Sequence, residues 1–349
     1  MHALSPLEYP WAEPPAPSNV QKVGDGLLWV RMPLPFALDH INLWILEDLD
    51  AGLTIVDTGL ATDETQAIWD ELLNGPLAGK AIRQLLCTHF HPDHMGLAGW
   101  LCQRFNAPLT TTLSEWAMGV ILSCDRSEAF SENQADFYYR AGLNPEKIHR
   151  VEKRGNTLSR RVSPVPKCFN RIRHGDTIMI GSYAWDVIIG QGHSPEMACL
   201  YCPTQNILIA GDQVLPRISP NISVWPNEPD ANPLALYRHS LETLKDLVPD
   251  TALVLPSHGL PFRGLHRRID AILQHHKDRL KDCLSACQDT PRSAADLLNV
   301  LFRHPLDEHG LLFAVGEAIA HIHLLEQENA LERIHGADHI DRFMVRRTK

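Results

Sequence analysis

Three histidines and an aspartate fall within six positions, in the run Thr88-His89-Phe90-His91-Pro92-Asp93-His94. Imidazole is the commonest metal-ligating side chain, and carboxylate is its usual oxygen partner. His89 and His91 stand two apart, so in extended backbone both rings point to one side. Pro92 bends the path, and Asp93 and His94 then open an apolar periodic segment, 95–101, that reads as a helix. One pair of ligands can serve one metal while Asp93 and His94 turn towards a second. With 19 histidines in the chain, an H-x-H pattern alone means little. His321 and His323 make the same pattern inside a helical stretch, where residues two apart lie roughly 200° apart around the axis. That pair faces opposite ways and cannot chelate.

The elements that must position such a cluster are legible around it. Residues 53–56 form an apolar strand ending on Asp57, a helix is expected over Asp63–Asn74, and a strand over 81–87 runs into the cluster. Strand, helix, strand at this spacing implies an α/β layered fold. In open α/β sheets the site lies beyond the carboxyl ends of strands, where Asp57 and His89 both stand. Three further strands end in the same way. Residues 187–190 break at glycines onto His193, 206–210 lead to Asp212, and 253–256 lead to His258. One histidine at a strand end is usually just a polar loop residue. Four strand ends presenting His or Asp beside the cluster are not independent accidents.

On these residues the chain resembles the metallo-β-lactamase-fold hydrolase superfamily, over about 24–264. The H-x-H-x-D-H motif of that superfamily is matched by His89, His91, Asp93 and His94, and its later positions fall on His193, Asp212 and His258. The resemblance implies an α/β protein: a four-layered αββα sandwich with two metals at one edge. It implies that His89, His91 and His193 hold the first metal, that Asp93, His94 and His258 hold the second, and that Asp212 bridges. An aspartate at the bridge, with Asp93 and His94 together, looks like the glyoxalase II, lactonase and RNase Z side of the superfamily. True β-lactamases typically carry cysteine at that position, so antibiotic hydrolysis is not expected.

Two metals about 3.5–4 Å apart can share one water and lower its pKa from 15.7 towards about 7. The resulting bridging hydroxide attacks a carbonyl or phosphoryl centre, and Asp93 or Asp212 can relay the proton. Nitrogen and oxygen ligation suits two divalent ions, zinc first, with manganese or iron as alternatives. Ligating imidazoles need an acceptor on the other ring nitrogen. Asp57 is the candidate, its other reading being a carboxylate near a helix N-terminus.

Composition bounds the rest. A chain of 349 residues, 44% hydrophobic and 21% charged, has room for a large core and an appendage. Its net charge of −10 disfavours non-specific nucleic-acid binding. Residues 1–20 read as a flexible, proline-rich segment without a secretory signal, 21–264 as the catalytic domain, and 265–349 as a linker helix and small C-terminal domain. No segment is long enough to span a membrane, and a cytoplasmic location is expected. The eight cysteines read as reduced thiols.

Three regions bear on substrate. The stretch 113–160 reads as a helical insertion, with helices over Leu113–Cys124 and 127–141, and Tyr138 is a candidate pocket residue. The proline-stiffened loop 215–226 carries Arg217, suited to an anionic group, and Trp225. The tail reads as helices over 270–287, 293–302 and 316–332, then a hairpin over 332–345. Helix, helix, hairpin resembles the winged-helix appendage of a branch of the same superfamily. Arg342, Arg346, Arg347 and Lys349 make the end basic, but Glu326, Glu328 and Glu332 oppose nucleic acid, leaving a structural or dimerising role. The reading is a binuclear hydrolase of a small-molecule ester, thioester or lactone. The alternatives are a metal-dependent phosphodiesterase or ribonuclease and a mononuclear iron dioxygenase.

Overall fold

Apolar runs and alternating patterns in the first half of the chain build one sheet in chain order. Its strands are β1 (Gln21–Gly24), β2 (Leu27–Pro33), β3 (His40–Glu47), β4 (Gly52–Val56), β5 (Ala81–Leu86), β6 (Leu109–Thr111) and β7 (Asn170–Arg171). Strands β1 to β4 pair antiparallel, and β4 to β7 pair parallel. The parallel half needs crossovers, supplied by α1 (Asp63–Asn74) and then by α2 (Pro92–Met95) and α3 (Ala98–Phe105). The second sheet holds β8 (Thr177–Ile180), β9 (Tyr183–Gly190), β10 (Met197–Cys202), β11 (Ile207–Gly211) and β12 (Leu253–Pro256). Only its last pair, β11 and β12, is parallel. The structure, a computed structural model, describes residues 7–302 and 305–346, so Arg347 and Lys349 lie outside the described residues.

By contact clustering the chain forms two units. Residues 1–125, 157–220 and 241–269 make the first, and 126–156, 221–240 and 270–349 the second. In the first unit the two sheets share a core. Trp29 and Trp44 stack at 5.9 Å, joined by Trp185, Val187, Leu200, Ile209 and Leu255. The other face of the first sheet packs Leu43, Ile45, Ile55 and Leu85 against Trp69 and Leu72 of α1 and Leu101 of α3. Each fully buried Leu or Ile contributes about 1.5–3 kcal/mol. Every residue of β10 is buried, so both faces of the second sheet are covered. The described part of the N-terminal segment, expected to be flexible, is tied down. Glu8 pairs with Arg263 as a bridge, and Trp11 packs on the core.

Helix α4 (Leu113–Cys124) completes the first unit's crossovers. The second unit takes α5 (Glu128–Arg140) and α6 (Pro145–Arg154), while α7 (Pro233–Leu247) and α8 (Leu265–Ala286) contribute residues to both units. Then come α9 (Ala294–Leu301), α10 (Glu308–Gln327) and the hairpin β13 (Leu331–His335) and β14 (Asp341–Val345). The helix–helix–hairpin order is as expected, but α10 is displaced from 316–332. It starts at the Asp307 cap, which accepts from Gly310 N–H, and Asn329 at φ 59° separates it from β13. Helix α6 escaped the sequence reading because its face is mostly charged. Its signal was Asn144-Pro145, an N-cap accepting from Lys147 N–H followed by proline at the first helical position. The expected single helix after the His cluster is broken into α2 and α3. A Cβ on Gly96 would meet the Gly59 carbonyl oxygen at 2.5 Å, and Leu97 N–H donates to that same carbonyl.

In the second unit His276 of α8 meets His321 of α10, Nδ1 to Nε2 at 3.2 Å. Burial, with nearby positive groups, pushes His276 down to about 2, and burial holds His321 down to about 4. Unfolded imidazoles titrate near 6.5, so below that pH the unfolded chain binds protons that the folded chain refuses. Glu317 acts in the opposite sense: burial lifts its carboxyl to about 7, so between about 4.5 and 7 the folded state holds the extra proton. Two imidazoles outweigh one carboxyl, and these groups together lower stability as pH falls from 6.5 towards 4.5. Each group contributes a slope of at most about 1.4 kcal/mol per pH unit. Urea unfolding of metal-free protein at pH 7.5 and 5.5 should show a smaller loss in His276→Phe than in the parent. An identical loss in both proteins would remove His276 from the account.

Candidate metal centre

Each loop of the centre follows a strand of the first unit. Asp57 follows β4, the His89 cluster follows β5, His193 follows β9, Asp212 follows β11 and His258 follows β12. The two sheets are laced together at this edge. Ala198 N–H donates to the Thr88 carbonyl at 2.9 Å and Asn42 N–H to Ser257 at 2.6 Å, while Ser257 N–H to Gly211 at 3.1 Å ties two loops of the second sheet. Gly211 sits at φ 53°, where a Cβ would meet Met197 Sδ at 2.9 Å, so glycine is needed for the turn that delivers Asp212.

The structure brings His89, His91, Asp93, His94, His193, Asp212 and His258 together. Their donor atoms form three groups, each within 4.8 Å: His89/His91/His193, His89/His94/Asp212 and Asp93/His94/His258. His89 Nε2 lies 2.9 Å from His91 Nδ1. Asp212 has one oxygen for each side. Its Oδ2 is 3.3 Å from His193 Nε2, and its Oδ1 is 3.6 Å from His94 Nε2 and 3.4 Å from His258 Nε2. Asp93 Oδ2 is 3.6 Å from His94 Nε2 and 3.5 Å from His258 Nε2.

On three of the histidines the outer ring nitrogen is held by an oxygen. His94 Nδ1 meets Asp57 Oδ2 at 2.8 Å, His258 Nδ1 donates to the His40 carbonyl at 2.7 Å, and His89 Nδ1 lies 3.1 Å from Thr88 Oγ1. Asp57 also accepts from Thr88 N–H at 2.7 Å and from the Thr88 hydroxyl. It stands at φ 62°, a left-handed position that Asp and Asn tolerate better than other side chains. The inner atoms, by contrast, face one another. His94 Nε2 and Asp212 Oδ1 are buried without a hydrogen-bond partner. Buried polar atoms are normally paired, and orphaned donors aimed at one point fit a cation.

At His89, His91 and Asp212 the electrostatics agree with ligation, whereas His94 would have to give up a proton to a metal. Burial, reinforced by neighbouring imidazoles, holds His89 and His91 well below the usual histidine range, hence neutral. Burial raises the Asp212 carboxyl, but His258 and His94 outweigh it and hold the group well below the carboxylate range. Burial opposes charge on His94 too, yet Asp57, Asp93 and Asp212 together push it well upward. Neutral imidazole and ionised carboxylate are the forms a metal takes up.

Several contributors escaped the sequence reading. Asn42 is buried, donates to the Pro256 and Gly259 carbonyls, and accepts from Trp29 Nε1, fixing the His258 loop. His40 accepts from Gly259 N–H at 2.8 Å. Glu115 of α4 is buried with no exposure and touches two ligand loops. Of the substrate candidates, Arg217 is exposed and follows Pro216, which packs on Gly259 beside His258. Tyr138 and Trp225 belong to the second unit, where Tyr138 is buried against Phe137 and Trp225 packs edge-on to Phe313. His321 and His323 go to different partners, the Glu317 and Ala231 carbonyls.

The family model for the metallo-beta-lactamase superfamily matches residues 37–258, which contain all of these ligands. The chain belongs to that superfamily. A second model, the metallo-beta-lactamase-like C-terminal domain, matches 280–347. A solved beta-lactamase domain protein from Burkholderia ambifaria is 41% identical at a TM-score of 0.91, with 97% of this chain and 98% of that one covered. A metallo-beta-lactamase family protein from Thermus thermophilus is 27% identical at a TM-score of 0.77, with 92% and 99% covered. The probable metallo-hydrolase YqjP of Bacillus subtilis (strain 168) is 26% identical over 88% of this chain and 94% of its own length. With its His/Asp cluster, the chain is a metallohydrolase of this superfamily. Among the described residues no helix is long and apolar enough to cross a membrane, and all eight cysteines are free.

Asp57→Asn keeps the backbone position but removes the charge that orients His94. It should lower metal affinity about 10–100-fold, as losses behind a ligating histidine typically do. Chelator competition with Zn2+ measures this, and unchanged affinity would deny Asp57 its role.

Proposed function

We propose that the chain is a binuclear metal-dependent hydrolase of a small-molecule ester, thioester or lactone. The observation that carries this reading is Asp212, whose Oδ2 faces His193 while its Oδ1 faces His94 and His258. His89, His91 and His193 would hold one ion, Asp93, His94 and His258 the other, and Asp212 both. A pair of divalent ions, zinc by preference, supplies a Lewis acid and a water of lowered pKa. The chain's own residues do the rest. Asp93 is the more open of the two carboxylates, with 19% of its side chain exposed against 9% for Asp212. It can take a proton from the reacting water and pass it to the leaving group. Arg217, exposed beside the His258 loop, would meet an anionic group of the substrate. The net charge of −10 supports a small-molecule substrate over nucleic acid, with the C-terminal domain in a structural or dimerising role.

Elemental analysis of metal-replete protein should give about two ions per chain, because the ligand set completes two shells. Paired with it, a screen of acyl thioesters, lactones and bis-p-nitrophenyl phosphate should show turnover of the acyl compounds. His91→Ala or Asp212→Ala should abolish that turnover, whereas His323→Ala should leave it. Metal content near one, with His258→Ala changing neither content nor turnover, would sink the binuclear reading. Cleavage of the phosphodiester alone would replace the acyl substrate.

A further inference from the structure

The His89/His91/His193 triad is carried by two loops far apart in the chain, and something must join one loop to the other through the backbone. The carboxylate of Glu115 does. Its Oε2 accepts the N–H of Phe90, the residue between His89 and His91, at 3.0 Å. Its Oε1 accepts the N–H of Glu196, three residues after His193, at 2.7 Å. The start of α4 is stapled to the same second loop in return. Ser114 N–H donates to Glu196 Oε2 at 3.1 Å, and the Thr112 hydroxyl donates to the Glu196 carbonyl at 3.0 Å. Helix α4 also lies directly behind the cluster. A Cβ on Gly119 would meet Met95 Sδ at 2.7 Å, with Phe90 at 3.7 Å.

Glu115 is wholly buried, and burial lifts its carboxyl to about 7 even though both oxygens accept backbone N–H groups. An acidic group held there works against desolvation, whereas an apolar side chain would leave two buried N–H groups unpaired. A single carboxylate satisfies both N–H groups and fixes the distance between the two loops that offer them.

We infer that Glu115 is a positioning residue for the His89/His91/His193 metal site, setting the spacing of its two ligand loops without touching the ion. This rests on the metal-centre reading above. Supporting groups behind metal ligands typically change metal affinity 10–100-fold when removed. The role is selective, because the Asp93/His94/His258 site is fixed instead through Asp57 and the His40 carbonyl.

Two single-site backgrounds test it in the full chain. His258→Ala leaves the His89/His91/His193 set, and His91→Ala leaves the Asp93/His94/His258 set. Zn2+ affinity is read by chelator competition in each, with and without Glu115→Gln, whose amide can accept only one of the two N–H groups. We expect at least a tenfold loss in the His258→Ala background and less than a twofold change in the His91→Ala background. Equal losses in both would mean that Glu115 only maintains the fold, and no loss in either would overturn the inference outright. Should Glu115→Gln fail to fold, Glu115→Asp, one methylene too short to reach both loops, should give the same selective loss. Failure of the metal reading itself looks different: the parent chain would then bind no Zn2+ whatever stands at position 115.

Discussion

The arrangement depends on one constraint: several polar side chains are buried with their inner atoms pointing at one another. Such burial is costly unless every outer atom is satisfied and the inner ones share a cation. On His89, His94 and His258 the outer atoms are satisfied. Asp57 and the His40 carbonyl hold His94 and His258 by their Nδ1 atoms, which turns both Nε2 atoms inward. Neighbouring imidazoles then hold Asp212 ionised, while burial above all keeps His89 and His91 neutral.

The backbone pays for this precision in two places. Asp57 and Gly211 both sit at positive φ where a strand ends, so each strand finishes in a sharp turn at the shared edge of the two sheets. Glycine takes this conformation freely, but at Asp57 the strain persists only where surrounding contacts over-determine it. Those contacts are present: Thr88 bonds to Asp57 through both its N–H and its hydroxyl, and Ser257 N–H bonds to the Gly211 carbonyl. The stacked Trp29 and Trp44 belong to the core shared by the two sheets that carry these turns.

The second unit follows a different logic. Its buried polar groups, His276, His321 and Glu317, pair with neighbours or backbone carbonyls and have no converging set of orphaned donors among the described residues. Burial shifts each of them towards its neutral form. Hence similar residue types make a ligand cluster in one unit and a helix interior in the other, where His276 Nε2 is buried without a hydrogen-bond partner but no other such atom of these three residues joins it. The difference lies in whether orphaned atoms converge on one point.

The sequence by itself determined which residues would gather at one edge. Strand ends are local features, and His193, Asp212 and His258 each follow a short apolar run bounded by turn residues, the pattern of a buried strand. The helices Asp63–Asn74 and Leu113–Cys124 were equally legible, since caps and periodicity are written within a dozen residues. Only the tertiary structure decided which oxygen of Asp212 faces which histidine, and that Asn42 and Glu115 support the ligand loops. Those bonds join residues 25 to 217 positions apart, and no local pattern encodes a pairing at such separations. A lone carboxylate in the apolar helix Leu113–Cys124 was the one trace Glu115 left in the sequence. Its meaning depends on the two loops that folding brings against it.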